Sequence, residues 1–262
     1  MGYIAALVAA LAISPAAFLQ AHDTNGAFSE SGGTADAALT SWAVLGLTAA
    51  GAQAPGSLAY LQSQEGALST TSDIALVALA EKALGARPAA LLARLAPKTS
   101  GEIGPTLNST YWAVLALGHS TKQTTRFLLA HQAKSGGFSW YAGGQADSND
   151  TAAALEALHV AGVRGAAVTR AVRFLLTFET KNGGFELTHG RGADAQSTAW
   201  AVQGLIAAGR TPPQRVFSYL ASLRQSDGSY RYSSRYATTP VWVTSQVLAA
   251  LARKSFPLIG TN

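Results

Sequence analysis

Apolar residues recur along the chain at the three-to-four-residue spacing of helices, and no segment shows the alternation of a half-buried strand. Two kinds of helical segment alternate along the chain. The first is amphipathic and ends in a polar-glycine turn followed by an aromatic residue, as in residues 127–138. The second, seen at 41–47 and 111–117, is apolar on nearly all sides, which indicates burial on both faces. The pattern predicts an all-α protein.

The pair of helices repeats six times along the chain. The hydrophobic residues that follow the turns mark the copies: Phe28, Leu68, Ile103, Phe138, Phe185 and Tyr230. Inner helices that must bury apolar side chains on both faces can do so most simply by closing into a ring. Residues 14–258 are therefore predicted to form a single α6/α6 toroid, six inner helices surrounded by six outer ones. Trp42, Trp112 and Trp200 occupy matching inner-helix positions and are predicted to pack in the core.

The two ends of the chain fall outside this repeat. Residues 1–13 are an apolar stretch that is either the remnant of a signal peptide or an extra packed helix, and residues 259–262 form a short tail. The stretch is too short to span a membrane. The signal interpretation predicts a secreted or extracytoplasmic protein, and the alternative is a cytoplasmic one.

The amino-acid composition excludes several kinds of site and partner. Hydrophobic residues make up 48% of the chain and charged residues 13%, which excludes intrinsic disorder. The absence of cysteine excludes disulfides, cysteine nucleophiles and thiolate zinc sites. The net charge of +5 comes from residues 210–262, which carry 7 Lys and Arg against 1 acidic residue. These basic residues are not clustered as in a nucleic-acid-binding arm, so no nucleic-acid partner is expected.

A spaced motif relates several of the turns to a known family. Phe127-Leu128, Gln132, Gly136 and Phe138 follow the aromatic-Leu-x3-Gln-x3-Gly-x-aromatic pattern, and two later copies carry Glu179 and Arg224 in place of the glutamine. In this the chain resembles the squalene cyclase and prenyltransferase repeat superfamily. The resemblance implies an α6/α6 toroid with aromatic-Gln-Gly turns. It does not select one activity, because the superfamily includes terpene cyclases, zinc prenyltransferases and binding proteins. Without cysteine, zinc catalysis is not expected, and we predict no metal and no cofactor.

One stretch, 147–150, aligns with the Asp-x-Asp-Asp motif of the superfamily's terpene cyclases. It reads Asp147-Ser148-Asn149-Asp150, so an amide stands where the resemblance places the proton donor. Such cyclases generally enclose their substrate between two helical domains, and the repeat predicts one. Polar residues recur at the same place in the other repeats, which favours helix N-capping. Asp147 and Asp150 are therefore candidate catalytic residues, with capping as the favoured alternative.

A second set of candidate residues lies in the longest loops, 136–150, 183–196 and 228–240. Because each hairpin runs from outer to inner helix through the same kind of turn, these loops are predicted to share one end of the toroid. Aromatic rings and arginines together suit a flat or anionic ligand. The predicted ligand-binding residues are Trp140, Tyr141, Arg191, Asp194, Tyr230, Arg231, Tyr232, Arg235 and Tyr236.

Three functions remain open at this point. The favoured one is a toroid that binds an apolar or isoprenoid-like molecule, or a partner protein or domain, at the loop face without turnover. The alternative is a terpene cyclase or prenyl-transferring enzyme that uses Asp147 and Asp150, with Arg191, Arg231 and Arg235 holding a diphosphate. The third is a structural extracellular module.

Overall fold

The computed structural model describes residues 13–258. The predicted apolar stretch 1–13, apart from Ile13, and the tail 259–262 lie outside this range. Within it, six helices form an outer layer and six an inner one. The outer helices are α1 (Pro15–Gln20), α3 (Ser57–Gln64), α5 (Ala89–Ala93), α7 (Lys122–Ala130), α9 (Ala166–Leu176) and α11 (Gln214–Ser222). The inner helices are α2 (Ala37–Ala49), α4 (Thr71–Ala83), α6 (Leu107–Leu117), α8 (Ser148–Val160), α10 (Ala195–Ala207) and α12 (Pro240–Leu251).

The inner helices close into a ring. Each packs against the next in chain order, and α12 packs against α2. The all-α toroid predicted from the repeat is confirmed. A 3-10 turn, Glu65–Ala67, follows α3. Two antiparallel pairs of two-residue strands, β1 (Asp23–Thr24) with β2 (Ala27–Phe28) and β3 (Phe138–Ser139) with β4 (Ala146–Asp147), were not predicted. Strands of two residues are too short to show a sequence period.

The centre of the ring is filled with aromatic side chains. Trp42, Trp112 and Trp200 belong to alternate inner helices and meet with ring centroids 5.3–6.1 Å apart. Helices that are not neighbours in the ring can make such contacts only across its axis. Phe256, from the segment after α12, lies 6.1 Å from Trp42 and 6.3 Å from Trp112 and donates its N–H to the buried carboxylate of Glu156 at 2.7 Å. The predicted packing role of the tryptophans is seen, and it occupies the axis.

Five of the six turns between outer and inner helices share one hydrogen bond. The turn hydrophobe donates its backbone N–H to a buried threonine hydroxyl of the following inner helix, for example Phe138 to Thr151 at 2.9 Å and Phe185 to Thr198 at 2.9 Å. The same bond recurs at Phe28, Ile103 and Tyr230. It satisfies a backbone donor that the buried turn would otherwise leave without a partner. The turns, and with them the loops, are thereby held at one end of the ring.

In three of the copies, the residue at the position of the motif glutamine links the turn to the next outer helix or to the segment before it. Gln132 donates to the carbonyls of Gly136 at 2.8 Å and Ala167 at 2.9 Å. Glu179 replaces it with a bidentate ion pair to Arg215, at 2.6 and 2.8 Å. Arg224, in the last copy, donates to the carbonyl of Ile13 at 2.8 Å and so joins the end of the ring to its beginning.

Candidate functional site

A cleft of about 980 Å³ opens between the loops that precede α10 and α12. It lies at the end of the toroid where the inner helices begin. Six of the nine predicted ligand-binding residues line it: Arg191, Asp194, Arg231, Tyr232, Arg235 and Tyr236. We call this space the arginine cleft. Its wall is completed by the end of α11, with Tyr219 in the last turn and Leu223 directly after the helix.

The loop that carries Arg191 is folded by a carboxylate. Glu186 accepts the backbone N–H groups of Gly190 and Gly192, each at 2.9 Å. Both glycines adopt positive φ, 83° and 90°, which a residue with a Cβ adopts only with strain. The carboxylate and the two glycines thereby hold Arg191 at the tip of the loop, on the edge of the cleft.

Asp194 forms the floor of the cleft and caps α10. Its Oδ1 accepts the backbone N–H of Ser197 at 2.7 Å and its Oδ2 the hydroxyl at 2.9 Å. The Tyr232 hydroxyl lies beside it, and the Tyr232 carbonyl accepts the N–H of Ala195 at 2.7 Å. Burial raises the pKa of Asp194, against the lowering effect of the Ser197 and Tyr232 hydrogen bonds and of the Arg191 charge.

The opposite edge of the cleft is a tight turn over residues 233–236. The Ser233 hydroxyl accepts the N–H groups of Arg235 at 3.3 Å and Tyr236 at 3.2 Å, and the Ser233 N–H donates to the Tyr236 carbonyl at 3.0 Å. Arg231 donates to the carbonyls of Ser233 and Ser234 through long bonds of 3.3 and 3.4 Å. Within residues 13–258 the Arg235 guanidinium makes no hydrogen bond and extends into solvent.

Three predicted ligand-binding residues do not line the cleft. Tyr230 is the turn hydrophobe of the last hairpin and is only 4% exposed, so its predicted place on the rim is wrong. Its N–H is held by Thr244 at 2.9 Å, which turns the ring into the core. Trp140 and Tyr141 are exposed, in the loop before α8.

The carboxylates of the cyclase-like stretch lie at the start of α8. Asp147 caps the helix, its Oδ1 accepting the N–H of Asp150 at 2.8 Å. Asp150 is buried and accepts a hydrogen bond from the Asn108 amide of α6 at 2.8 Å. Burial, reinforced by the charge of Asp147, raises the pKa of Asp150 to about 8. Burial also raises the pKa of Asp147, although hydrogen bonds from Asp150 and Asn149 oppose this shift.

A tyrosine is packed beside this pair. The Tyr111 hydroxyl donates to the carbonyl of Ser139 at 3.2 Å. Burial and the charges of Asp150 and Asp147 raise its pKa. Asn149, where the resemblance places the proton donor, is partly buried. The arrangement can hold a proton on Asp150 near neutral pH, but it presents no acid at position 149.

Sequence reasoning missed three residues at these places: Glu186, Asn108 and Tyr219. Glu186 was detectable, since an acidic residue shortly before a Gly-x-Gly loop is suited to accept the loop's N–H groups. Asn108 and Tyr219 had no such signal, because their partners, Asp150 and the Ala193 carbonyl, are 42 and 26 residues away.

In the described part of the chain, no group of three or more His, Cys, Asp or Glu residues is arranged to hold a metal ion. No helix between residues 13 and 258 is both long and apolar enough to cross a membrane.

The fold and the cleft together define an α/α toroid with a cationic loop face. The sequence matches the prenyltransferase alpha-alpha toroid domain family over residues 18–211 and 166–239. The chain therefore belongs to this family, and the resemblance inferred from the turns is confirmed. No curated protein sequence matches it.

Solved structures of similar fold include enzymes of isoprenoid chemistry. The ent-copalyl diphosphate synthase from Streptomyces platensis is 22% identical (TM-score 0.59), and the match covers 81% of this chain and 49% of that one. This chain thus spans about half of the synthase. The type II terpene cyclase MstE from Scytonema is 14% identical (TM-score 0.67), with 91% and 95% covered.

Another solved structure of similar fold is Candida albicans protein geranylgeranyltransferase-I complexed with GGPP. It is 15% identical (TM-score 0.55), and the match covers 73% of this chain and 69% of that one. Likeness at these identities shows the shared fold.

Proposed function

We propose that the protein binds an isoprenoid lipid with an anionic headgroup, and that the arginine cleft holds the head. The observation that carries this proposal is the convergence of Arg191, Arg231 and Arg235 on one cleft. Guanidinium groups bind phosphate and carboxylate oxygens through paired, charge-assisted hydrogen bonds. Of the acidic side chains of the cleft, Glu186 accepts hydrogen bonds from its loop and Asp194 from its helix, and Asp194 also interacts with the charge of Arg191.

The apolar part of the ligand is supported by the cleft's other wall and by the family. Tyr219, Leu223, Tyr232 and Tyr236 give the cleft aromatic and aliphatic surface beside the arginines. The axis of the ring is filled by its tryptophans and Phe256, which favours a ligand at the loop face. The structures of similar fold include one solved with GGPP and one with geranylgeranyl dihydroxybenzoate, so isoprenoid chains are the class to test first.

Calorimetric titration of the full chain tests the proposal. Geranylgeranyl diphosphate is compared with geranylgeraniol, which lacks the head, and with inorganic pyrophosphate, which lacks the tail. The diphosphate lipid is expected to bind most tightly. Replacing Arg191 and Arg235 together with Gln is expected to weaken it about tenfold or more, since a hydrogen bond to a charged group contributes ~1.5–3 kcal/mol.

The matched control is Arg126→Gln, which removes an exposed arginine from the outer helix α7, away from the cleft. It is expected to leave affinity unchanged. The proposal is wrong if no prenyl diphosphate binds, or if the Arg126→Gln and double cleft variants lose affinity equally.

A second candidate function, a proton-initiated terpene cyclase, is favoured by the buried carboxyl pair at α8. In it Asp150 would hold the proton delivered to an alkene, and a single toroid is no obstacle, since this chain covers 95% of MstE. Because the named neighbours are enzymes, the comparisons favour this candidate over a module without catalysis. Against it stand the amide at position 149 and the burial of Asp150.

Product analysis separates the two candidates. The chain is incubated with geranylgeranyl diphosphate and squalene, and extracts are analysed by mass spectrometry. A cyclised product that disappears in Asp150→Asn would establish the cyclase. Binding without product, in the natural chain and in Asp150→Asn alike, is the result expected here. Asn149→Asp, which restores the family motif, tests whether the missing acid is what prevents turnover.

A further inference from the structure

Large aromatic side chains project into solvent at the loop end of the toroid. Trp140 is 52% exposed, Tyr141 58% and Tyr236 59%. They come from the loops before α8 and α12, on either side of the loop that carries Arg191. Exposing rings of this size to water is unfavourable, and a group of them commonly marks a surface that meets a partner.

These rings are held outward by the backbone. The Trp140 carbonyl accepts the N–H of Asn108 at the start of α6, at 3.1 Å. The Tyr141 carbonyl accepts the Ser139 hydroxyl at 2.8 Å and the Gly144 N–H at 2.9 Å. Tyr236 is fixed by the turn on Ser233. The loops are therefore structured while their rings remain outside the core.

The charge between the rings is positive. Arg191 and Arg235 are exposed on this face, and Arg231 is partly so. The neighbouring carboxylates are engaged in hydrogen bonds: Glu186 accepts two backbone N–H groups, and Asp147 and Asp194 cap helices. The face thus combines exposed Trp and Tyr rings with the exposed side chains of Arg191 and Arg235 around the mouth of the arginine cleft, while Arg231 is bonded to its own turn.

We propose that this face docks on the surface of an anionic lipid bilayer. Trp and Tyr are the residues enriched at the level of lipid headgroups, where one end of the ring is apolar and the other wet. Arginines near the surface are attracted by anionic lipids. The mouth of the cleft then faces the headgroups. The inference rests on the proposed function in one respect: a lipid ligand that resides in the bilayer would enter the cleft from there.

Vesicle co-sedimentation of the full chain tests the docking. Vesicles of phosphatidylcholine with phosphatidylglycerol are compared with phosphatidylcholine alone, both without isoprenoid. The chain is expected to sediment with the anionic vesicles and to be released by added salt, because charge attraction is screened. Trp140→Ser combined with Tyr141→Ser is expected to lower the vesicle partition coefficient about tenfold.

The matched control is Leu176→Ser. Leu176 is 42% exposed on the outer helix α9, so the change removes apolar surface of the side wall. It is expected to leave partitioning unchanged. All variants keep residues 1–12, so any contribution of that apolar segment cancels between them. Equal thermal unfolding of the variants checks that the fold is retained.

Different measurements test the docking proposal and the ligand proposal, so a failure of one can be told from a failure of the other. Trp140 and Tyr141 do not line the cleft, so their double variant is expected to bind soluble geranyl diphosphate with unchanged affinity. Loss of vesicle binding with ligand binding kept supports the docking. The docking is overturned if anionic vesicles do not bind the chain or if the double variant binds them as well as the natural chain does. It is also overturned if Leu176→Ser loses as much vesicle binding as the double variant. Absence of binding to any vesicle would leave a protein partner as the occupant of this face.

Discussion

The first turns of α8 and α10 are two versions of one design. Each begins with a capping aspartate, Asp147 or Asp194, whose carboxylate accepts the N–H three residues later at 2.8 or 2.7 Å. The residue at that third place differs. In α10 it is Ser197, which donates its hydroxyl to the cap at 2.9 Å. In α8 it is a second acid, Asp150, which cannot donate to the cap while it is ionised.

This difference separates a structural role from a chemical one. Asp147 and Asp194 are accounted for by capping, and α10 shows that a serine suffices beside the cap. Asp150 is not needed for the turn, and placing it there raises its pKa to about 8. Asp150 departs from the pattern of the repeat and is therefore the residue of this stretch to test for a function. The adjacent α10 turn supplies the floor of the arginine cleft.

The largest loss of stability is expected from Asp194→Ala. It removes a cap, which contributes ~1 kcal/mol, and leaves the buried N–H and hydroxyl of Ser197 without their acceptor, at a further ~1–3 kcal/mol. We expect the free energy of unfolding to fall by about 2–4 kcal/mol in urea titrations. Asp36→Ala is the control, since Asp36 caps α2 in the same way but is exposed. An equal loss in both would contradict the role given to burial.

A pH-dependent effect is expected from Asp150→Ser, which converts the α8 turn into the α10 pattern. With its pKa raised to about 8, Asp150 holds a proton in the folded chain that an unfolded aspartate has lost. It therefore makes stability fall as pH rises from about 4 to about 8, by up to ~1.4 kcal/mol per pH unit.

Urea unfolding across this range is expected to show a shallower pH slope in the variant. The raised pKa of Glu156 is present in both chains, so it cancels in the difference. A slope identical to that of the natural chain would show that Asp150 is ionised in the fold.

The smallest change is expected from Asp147→Ala. Its carboxylate is more accessible than that of Asp194, so the lost cap is expected to lower the free energy of unfolding by ~1 kcal/mol. Removing its charge also removes one cause of the raised Asp150 pKa, which is expected to fall while burial keeps it above the ordinary value. Carboxyl carbon NMR of the natural and variant chains measures both pKa values. An unchanged Asp150 pKa would show that burial acts alone.

Much of the fold and part of the site were predictable for a local reason. Hydrophobic residues after the turns and apolar inner helices recur in all six copies, and aspartate caps in three of them, so their role can be inferred from the repeat. Six of the predicted ligand-binding residues lie in one cleft, as expected for loops that follow equivalent turns, and their binding of a ligand stays a prediction: Arg191, Asp194, Arg231, Tyr232, Arg235 and Tyr236. Tyr230 was misplaced because a turn aromatic and a rim aromatic look alike in sequence.

The sequence by itself determined the ring, since six hairpins with helices apolar on all sides can bury them in few other ways. Only the tertiary structure decided what fills the ring and what stays open. Phe256 reaches Glu156 across 100 residues, and Asn108 reaches Asp150 across 42. Such contacts depend on how far each helix is rotated in the closed ring, and burial there, more than residue type, raises the pKa of Asp150. The arginine cleft likewise exists because two loops distant in sequence were brought side by side.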